Sequence, residues 1–464
     1  MVAAAAVAGI IMYNPFLLYF QNDDFIHIPL SAQGQLFQHN SFRPVCDLSV
    51  MIDYNIWGKN AYGYHITNII LHAANSLLVY ALAKKISYCF SIFNENKFAP
   101  AAAAILFFIY AAHSEAVFWI LGRSAMLGFF FFALSCIFYF ERKKTLYLIA
   151  SMLCMLLAWL SYESTWILPV VFAVMELGES SKLKAESSKL RIFIALTLFA
   201  AYLTVRYFTI HEVIGNYEAG QFLRLNIPVL FMNFIKMFCR AWLPFLSGSL
   251  FAALSVVIII LFTALCFLIK QGRYIYFVLF FLFKISLLPA ASIGVSTQGM
   301  EGERFLYLPS LFCCIIFVYL FCVFAKNSKQ FIASFSILII FQLYFLRTNA
   351  VNYQTAGNIT KAFTTAIAGL PEQSRVTIEN LPQETCGALI LRTGVNEAAQ
   401  WMRDSVPAEI HICSREKIPH EKYYFDYRIK YADKNSALSP ACTETGEKYD
   451  VYVKFTDSAL VVYQ

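Results

Sequence analysis

Long apolar runs separated by short polar breaks fill the first three quarters of the chain. A membrane-spanning helix needs roughly 17–25 mostly apolar residues. Runs of that kind lie at 2–20, 64–83, 98–113, 117–140, 145–161, 164–177, 190–208, 247–269, 274–290, 305–325 and 330–346. The pattern predicts an α-helical polytopic membrane protein with about 11 transmembrane helices. Segment 227–243 is also apolar, but Lys236, Arg240 and Pro244 interrupt it, which fits an interfacial or re-entrant helix. From residue 350 the pattern changes to short β-rich runs, "SRVTIEN", "GALILR", "EIHIC" and "YDVYVKF", with "NEAAQWM" as a helix. We therefore expect a transmembrane domain over 1–347 and a small C-terminal extracytoplasmic α/β domain over 348–464.

Composition agrees. Of 464 residues 59% are hydrophobic and only 14% charged, against about 25% charged in soluble domains. The net charge of +7 does not mark a nucleic-acid binder, because the basic residues sit in short clusters between apolar runs. Many of the 12 cysteines lie inside those runs, where Cys acts as a small hydrophobe, and no CxxC pair is present. One set of alternate loops holds Lys84 and Lys85, Arg142 to Lys144, Lys182 to Arg191, Lys270 and Arg273, and Lys326 and Lys329. The other holds Asp23 and Asp24, His113 and Glu115, Glu163, Glu212 and Glu218, and Glu301 and Glu303. Positive charge marks the cytoplasmic side, so the acidic set and the C-terminal region are expected outside.

That orientation points to the candidate chemistry. Aspartate in hydrocarbon costs about 2.5–3.5 kcal/mol on insertion scales, so Asp23 and Asp24 lie just beyond the first span. They end the span, cap the next segment, or serve as a general base for an acceptor hydroxyl. Glu115, Glu163, Glu301 and Glu303 are further acids on that side, beside His113. Basic residues near outer span ends, Arg43, Arg123, Arg206, Lys236, Arg240 and Arg304, with Lys284 inside a span, are expected to hold an anionic ligand such as a lipid phosphate, or to snorkel. His65 and His72, with Asn68 and Asn75, share helix faces and fit interhelical hydrogen bonding better than a metal site. No Walker A loop, Rossmann fingerprint or zinc signature appears; no metal ligands are assigned, and a divalent cation is left open.

Four segments resemble a known family. "FRPVCDLSVMIDYNIWGKNAYGYHITNIILHAANSLLVYAL" at 42–82 resembles the YRP-to-helix-two region of GT-C superfamily polytopic glycosyltransferases. "HSEAVFWILGRSAMLGFFFFALSCIFYF" at 113–140, "SYESTWILPVVFAVMEL" at 161–177 and "EGERFLYLPS" at 301–310 are similar to three more motifs of the same branch. That branch contains the tetratricopeptide-bearing transmembrane O-mannosyltransferases and their bacterial relatives. The departures are Tyr162, where Lys is usual, and the absence of the tetratricopeptide array.

The resemblance implies a GT-C fold and an inverting glycosyltransferase. It would take a mannose-like hexose from a polyprenyl-phosphate donor to a glycan, lipid or protein hydroxyl outside the membrane, here a bacterial inner membrane. Asp24, or Asp23, would be the base. Arg43, Arg123, Arg206, Lys284 and Arg304 would bind donor phosphate or support the site, and His113, Glu115, Glu163, Glu301 and Glu303 would be its polar groups. A lipid-linked saccharide flippase, or a non-catalytic assembly subunit, is the alternative.

Overall fold

The computed structural model describes residues 2–36, 42–90, 93, 96–177, 182–211, 226–246, 248–269, 273–371, 374–401, 409–418, 427–432, 450–456 and 459–463. Glu212, Glu218 and Lys270 of the loop comparison lie outside them. The helices are α1 (Val2–Met12), α2 (Asp24–Ala32), α3 (Pro44–Trp57), α4 (Ala61–Phe90), α5 (Ala99–Phe108), α6 (Ser114–Phe118), α7 (Arg123–Phe140) and α8 (Thr145–Trp159). They continue with α9 (Leu168–Leu177), α10 (Lys182–Ile210), α11 (Ile227–Arg240), α12 (Gly248–Leu268), α13 (Arg273–Leu287), α14 (Pro309–Phe324), α15 (Ser328–Ala368) and α16 (Val395–Trp401).

Backbone polar groups find no partner in hydrocarbon, so apolar runs of this length close their hydrogen bonds within helices. Six helices among the described residues are long and apolar enough to cross a membrane: Ala61–Cys89, Ile120–Phe140, Ser187–Ile210, Gly248–Leu268, Arg273–Ala290 and Ser328–Ala368. A seventh forms if Ala99–Phe108 and Ala111–Phe118, which meet at 52°, are one span. Among the described residues the expected count of eleven is not confirmed. Four of the apolar runs, 2–20, 145–161, 164–177 and 305–325, make shorter helices, because polar or proline-bearing sequence ends them early. After α1, Asn14 caps a separate 3-10 turn at Pro15–Leu17. The run at 164–177 divides into a 3-10 turn, Glu163–Ile167, and α9.

The core of the bundle joins α4, α5, α7, α8, α13 and α14. The polar face of α4 is spent on its neighbours. Asn75 donates to the Met126 carbonyl (2.9 Å) and the Tyr307 hydroxyl (3.0 Å). His72 pairs with Tyr307 through Nδ1 at 2.7 Å and with the Phe108 carbonyl through Nε2 at 2.9 Å.

The composition break near residue 347 does not end a helix. α15 runs on to Ala368, and 41 residues at 1.5 Å each span about 60 Å, twice a hydrocarbon core of about 30 Å. Its polar half is buried: Asn349 donates to the Ala111 carbonyl (3.0 Å) and Ser114 Oγ (2.8 Å), and Thr364 meets Tyr19.

Beyond α15, strands β1 (Arg375–Glu379), β2 (Leu381–Thr385), β3 (Ala388–Leu389), β4 (Glu409–Ile412), β5 (Arg415–Ile418), β6 (Arg428–Ala432), β7 (Val451–Phe455) and β8 (Ala459–Tyr463) build two sheets. The larger has order β4-β1-β7-β8-β6, parallel except at β7–β8; the smaller is β3-β2-β5. With α16 they form the expected α/β region, and runs 374–380, 409–413 and 449–455 each contain a strand.

This region is tied to the bundle by backbone. The Met300 amide donates to the Cys386 carbonyl at 2.8 Å. Gly387 has φ +86°, and a Cβ there would stand 2.5 Å from the amide nitrogens of Met300 and Glu301. Gly387→Ala should therefore cost at least about 1–2 kcal/mol and lower the thermal midpoint of the detergent-solubilised protein; an unchanged midpoint would contradict this docking.

Candidate functional site

The site grows from the turn after the first helix. Asn22 takes φ +47°, a left-handed conformation that asparagine tolerates better than most residues. That turn delivers Asp23 and Asp24 to the start of α2, where carboxylates favour the helix dipole. Asp24 is 1% exposed. Its Oδ2 accepts from the Gln21 amide at 2.9 Å, while its buried Oδ1 accepts no hydrogen bond within 3.5 Å. No cation lies within ion-pair distance among the described residues. Burial pushes the Asp24 carboxyl well above the usual range; the Gln21 amide opposes the rise and the charge of Asp23 adds to it. Asp23 is only half-buried and accepts from Asn22 Nδ2 at 2.9 Å and from the Thr393 hydroxyl.

The other candidate acids are paired with the candidate bases. Glu163 is held by Arg43 (2.8 Å) and Arg206 (3.2 Å), with Arg43 also over the Tyr162 ring. Burial opposes ionisation of Glu163, but the two guanidiniums outweigh it and keep this carboxyl below its ordinary value. Glu115 takes the Arg304 guanidinium and, on Oε2, the Arg304 amide at 2.8 Å. Glu303 meets Arg240 at 2.5 Å, and Arg240 also donates to the Ser296 and Leu243 carbonyls. Glu301 pairs with Arg392 at 2.7 Å. Arg123 is fully buried: it meets Asp53 at 2.5 Å, Asn68 Oδ1 at 2.7 Å and the Tyr64 carbonyl at 3.0 Å, tying α3 and α4 to α7.

Not every candidate converges here. Lys284 lies on the exposed side of α13, its ammonium over the Phe280 ring at 4.3 Å. Lys236 has no ion pair among the described residues. His113 is buried and bonds Ser310 Oγ at 2.6 Å through Nε2. Among the described residues no cluster of three or more His, Cys, Asp or Glu side chains could hold a metal ion. Of the five bases expected at a donor phosphate, Arg43 and Arg304 keep partial exposure within the outer group, 18% and 12%. A mainly apolar cavity of about 240 Å³ opens among α4, α7, α9, α13 and α14, lined by residues such as Phe132, Val171, Leu279 and Phe312.

Fold and site define a multi-pass, mostly helical membrane protein with a polar cluster where helix ends meet an α/β region. No protein-family model matches the chain. It is 28% identical over 364 aligned residues to a Caenorhabditis elegans protein named protein O-mannosyl-transferase F38B6.6, covering 71% of this chain and 49% of that protein. A 141-residue stretch is 31% identical to Drosophila melanogaster protein O-mannosyl-transferase Tmtc1, 30% of this chain and 13% of that protein. A 132-residue stretch is 32% identical to human protein O-mannosyl-transferase TMTC2, 28% of this chain and 14% of that protein. The chain spans about half the length of the first of these relatives and much less of the other two. The resemblance drawn from the four motifs is thereby shown: this chain is similar to proteins named protein O-mannosyl-transferases.

Asp47 escaped the sequence candidates. It is buried, its Oδ2 has no hydrogen-bond partner, and it forms no ion pair among the described residues. Its spacing from Arg43, four residues along the YRP-like segment, was the available signal. Burial pushes the Asp47 carboxyl up to about 7, against the pull of Arg43. A raised folded pKa favours the protonated native state, so its contribution to stability is whole below pH ~4 and is lost as pH rises towards 7. Asp47→Asn should match wild type in thermal midpoint only below pH ~4, where the carboxyl is protonated in both states, and exceed it at pH 8. An equal or lower midpoint at pH 8 would contradict the unpaired burial.

Proposed function

We propose that this chain is an inverting membrane glycosyltransferase that moves a mannose-like hexose from a polyprenyl-phosphate donor to an acceptor hydroxyl. The chemistry takes place on the extracytoplasmic side of a bacterial inner membrane. The names of the relatives support the transfer; the observation that carries the site is Asp24, a buried carboxylate with one oxygen lacking a hydrogen bond and no counter-ion among the described residues. The transmembrane part, 1–347, supplies catalysis, and 348–464 is the extracytoplasmic domain that covers it.

Asp24 Oδ1 takes the proton of the acceptor hydroxyl as that oxygen attacks the anomeric carbon. The bond to the phosphate oxygen breaks, and polyprenyl phosphate leaves with the electron pair. A carboxylate short of solvation is a stronger base than one in water, which suits it to a neutral hydroxyl. Arg43 and Arg304, the partly exposed members of the outer group, are the phosphate ligands. Their carboxylate partners hold them in place, and charge developing on the leaving oxygen is stabilised by groups already oriented. Arg123 and Arg206, both wholly buried, support this arrangement from behind. The apolar cavity among α4, α7, α9, α13 and α14 suits a stretch of prenyl chain.

The test is sugar release from a panel of synthetic polyprenyl-phosphate monosaccharides by the purified protein and its Asp24→Asn form, with and without EDTA. Wild type should turn over at least one donor, and Asp24→Asn should lose about 10²- to 10⁴-fold in kcat. The acid limb of the wild-type pH profile should lie above the ordinary carboxylate range, since Asp24 must be ionised to act. An EDTA-sensitive rate would add a divalent cation. Equal activity of the two forms, or no turnover of any donor with cell-envelope extract as acceptor source, would overturn the proposal in favour of transport.

A further inference from the structure

The C-terminal region reaches into the turn that carries the acidic pair. The Asn22 amide donates to the Ile390 carbonyl at 2.8 Å, and the Thr393 amide donates to Asn22 Oδ1 at 2.9 Å. The Thr393 hydroxyl lies within bonding distance of Asn22 Oδ1 (3.0 Å) and Asp23 Oδ1, and Asn22 Nδ2 donates to the same Asp23 oxygen. Gly394 has φ +70°, and a Cβ on it would stand 2.9 Å from the Asn22 carbonyl oxygen, so the contact is close. Trp401 of α16 packs edge-on against Phe20 and Phe25, on either side of the turn. Next to Thr393, Arg392 bridges Glu301 and Glu384, so one segment holds both the acidic turn and the loop before the ERFLYLPS motif.

We infer that Thr393 is a positioning residue for transfer: together with Asn22 it fixes Asp23, and through Asp23 it sets the orientation and basicity of Asp24. This rests on Asp24 being the base. The exposed hydroxyl of Thr393 gives Asp23 a donor that fixes the position of its carboxylate at the start of α2. The Asp23 charge in turn raises the affinity of Asp24 for a proton. The other groups facing Asp24 are Arg123 of α7, already neutralised by Asp53 of α3, and the Tyr64 phenol of α4. α16, also packed on α2, turns Trp401 inwards, while its Glu397 is exposed. The C-terminal region thereby completes the active site.

The test compares full-length wild type, Thr393→Val, Thr393→Ser, Asn22→Gly and Asp24→Asn in the donor assay across pH, with kcat, KM and thermal midpoint recorded for each. Asn22→Gly keeps the positive φ and removes the other donor to Asp23, the Asn22 side-chain amide, together with the Thr393 bonds to Asn22 Oδ1. We expect Thr393→Val and Asn22→Gly to lose about tenfold in kcat with KM nearly unchanged. Their acid limb should shift to lower pH, because a carboxylate no longer fixed in place acts more weakly on Asp24, and Thr393→Ser should restore the wild-type profile. If Asp24→Asn is inactive while the limb stays in place in both Thr393→Val and Asn22→Gly, Thr393 is structural only and the inference falls alone. If Asp24→Asn is active, the reading of Asp24 as base falls first.

Discussion

Burying charge in a medium of low dielectric is expensive unless counter-charge and hydrogen bonds come with it. Every fully buried arginine described here meets that demand with a carboxylate: Arg123 with Asp53, Arg206 with Glu163, Arg240 with Glu303. The partners come from segments far apart in the chain, so the pairs do more than neutralise. Arg123 holds α3 and α4 on α7, Arg240 holds α11 on the loop before α14, and Glu163 gathers Arg43 and Arg206 from two further segments. Breaking a buried pair on one side leaves an uncompensated ion and typically costs about 3–5 kcal/mol. Helix ends held in this way form a stiff frame of low net charge around the outer turns.

Within that frame Asp24 is set apart by what it lacks. Glu115, Glu163, Glu301 and Glu303 each lean on an arginine, while Asp24 has one backbone amide on one oxygen. A carboxylate occupied by a guanidinium is a poor proton acceptor; one that is desolvated and unpaired is a good one. Asp47 shares the unpaired burial, and each of the two feels a guanidinium only at longer range, Asp24 that of Arg123 and Asp47 that of Arg43. The difference between the acids that build the frame and the acid proposed as the base is a difference of partners, not of residue type.

Partners are also what the sequence hides. Spans such as Ala61–Cys89 and Gly248–Leu268 were legible because hydrophobic length is a local property. The helix at Val395–Trp401 and the strand at Val451–Phe455 were legible for the same reason. The four motifs drew attention to Arg43, Arg123 and Arg304 as a group, and the end of the first apolar run drew attention to Asp24. Nothing local distinguishes Arg123, sealed against Asp53, from Arg43, which keeps an open side. Lys284 illustrates the same limit: a lysine within an apolar run was expected inside the bundle, and the exposed face of α13 carries it instead. The composition break at 347 marks a change from a half-exposed stretch to a mostly buried one, which α15 crosses without ending. The hold of Thr393 on Asn22 spans 371 residues, beyond the reach of any local pattern.

The central claim is that Asp24 carries its proton to a higher pH than an ordinary carboxylate because it is buried without a counter-ion. The most direct measurement is difference infrared spectroscopy of the protein in lipid nanodiscs, wild type against Asp24→Asn, titrated from acid to neutral pH. We predict a protonated carboxyl band, absent from the variant, that persists well above the pH at which exposed aspartates have ionised. A difference spectrum showing Asp24 already fully ionised in the ordinary carboxylate range would contradict the account.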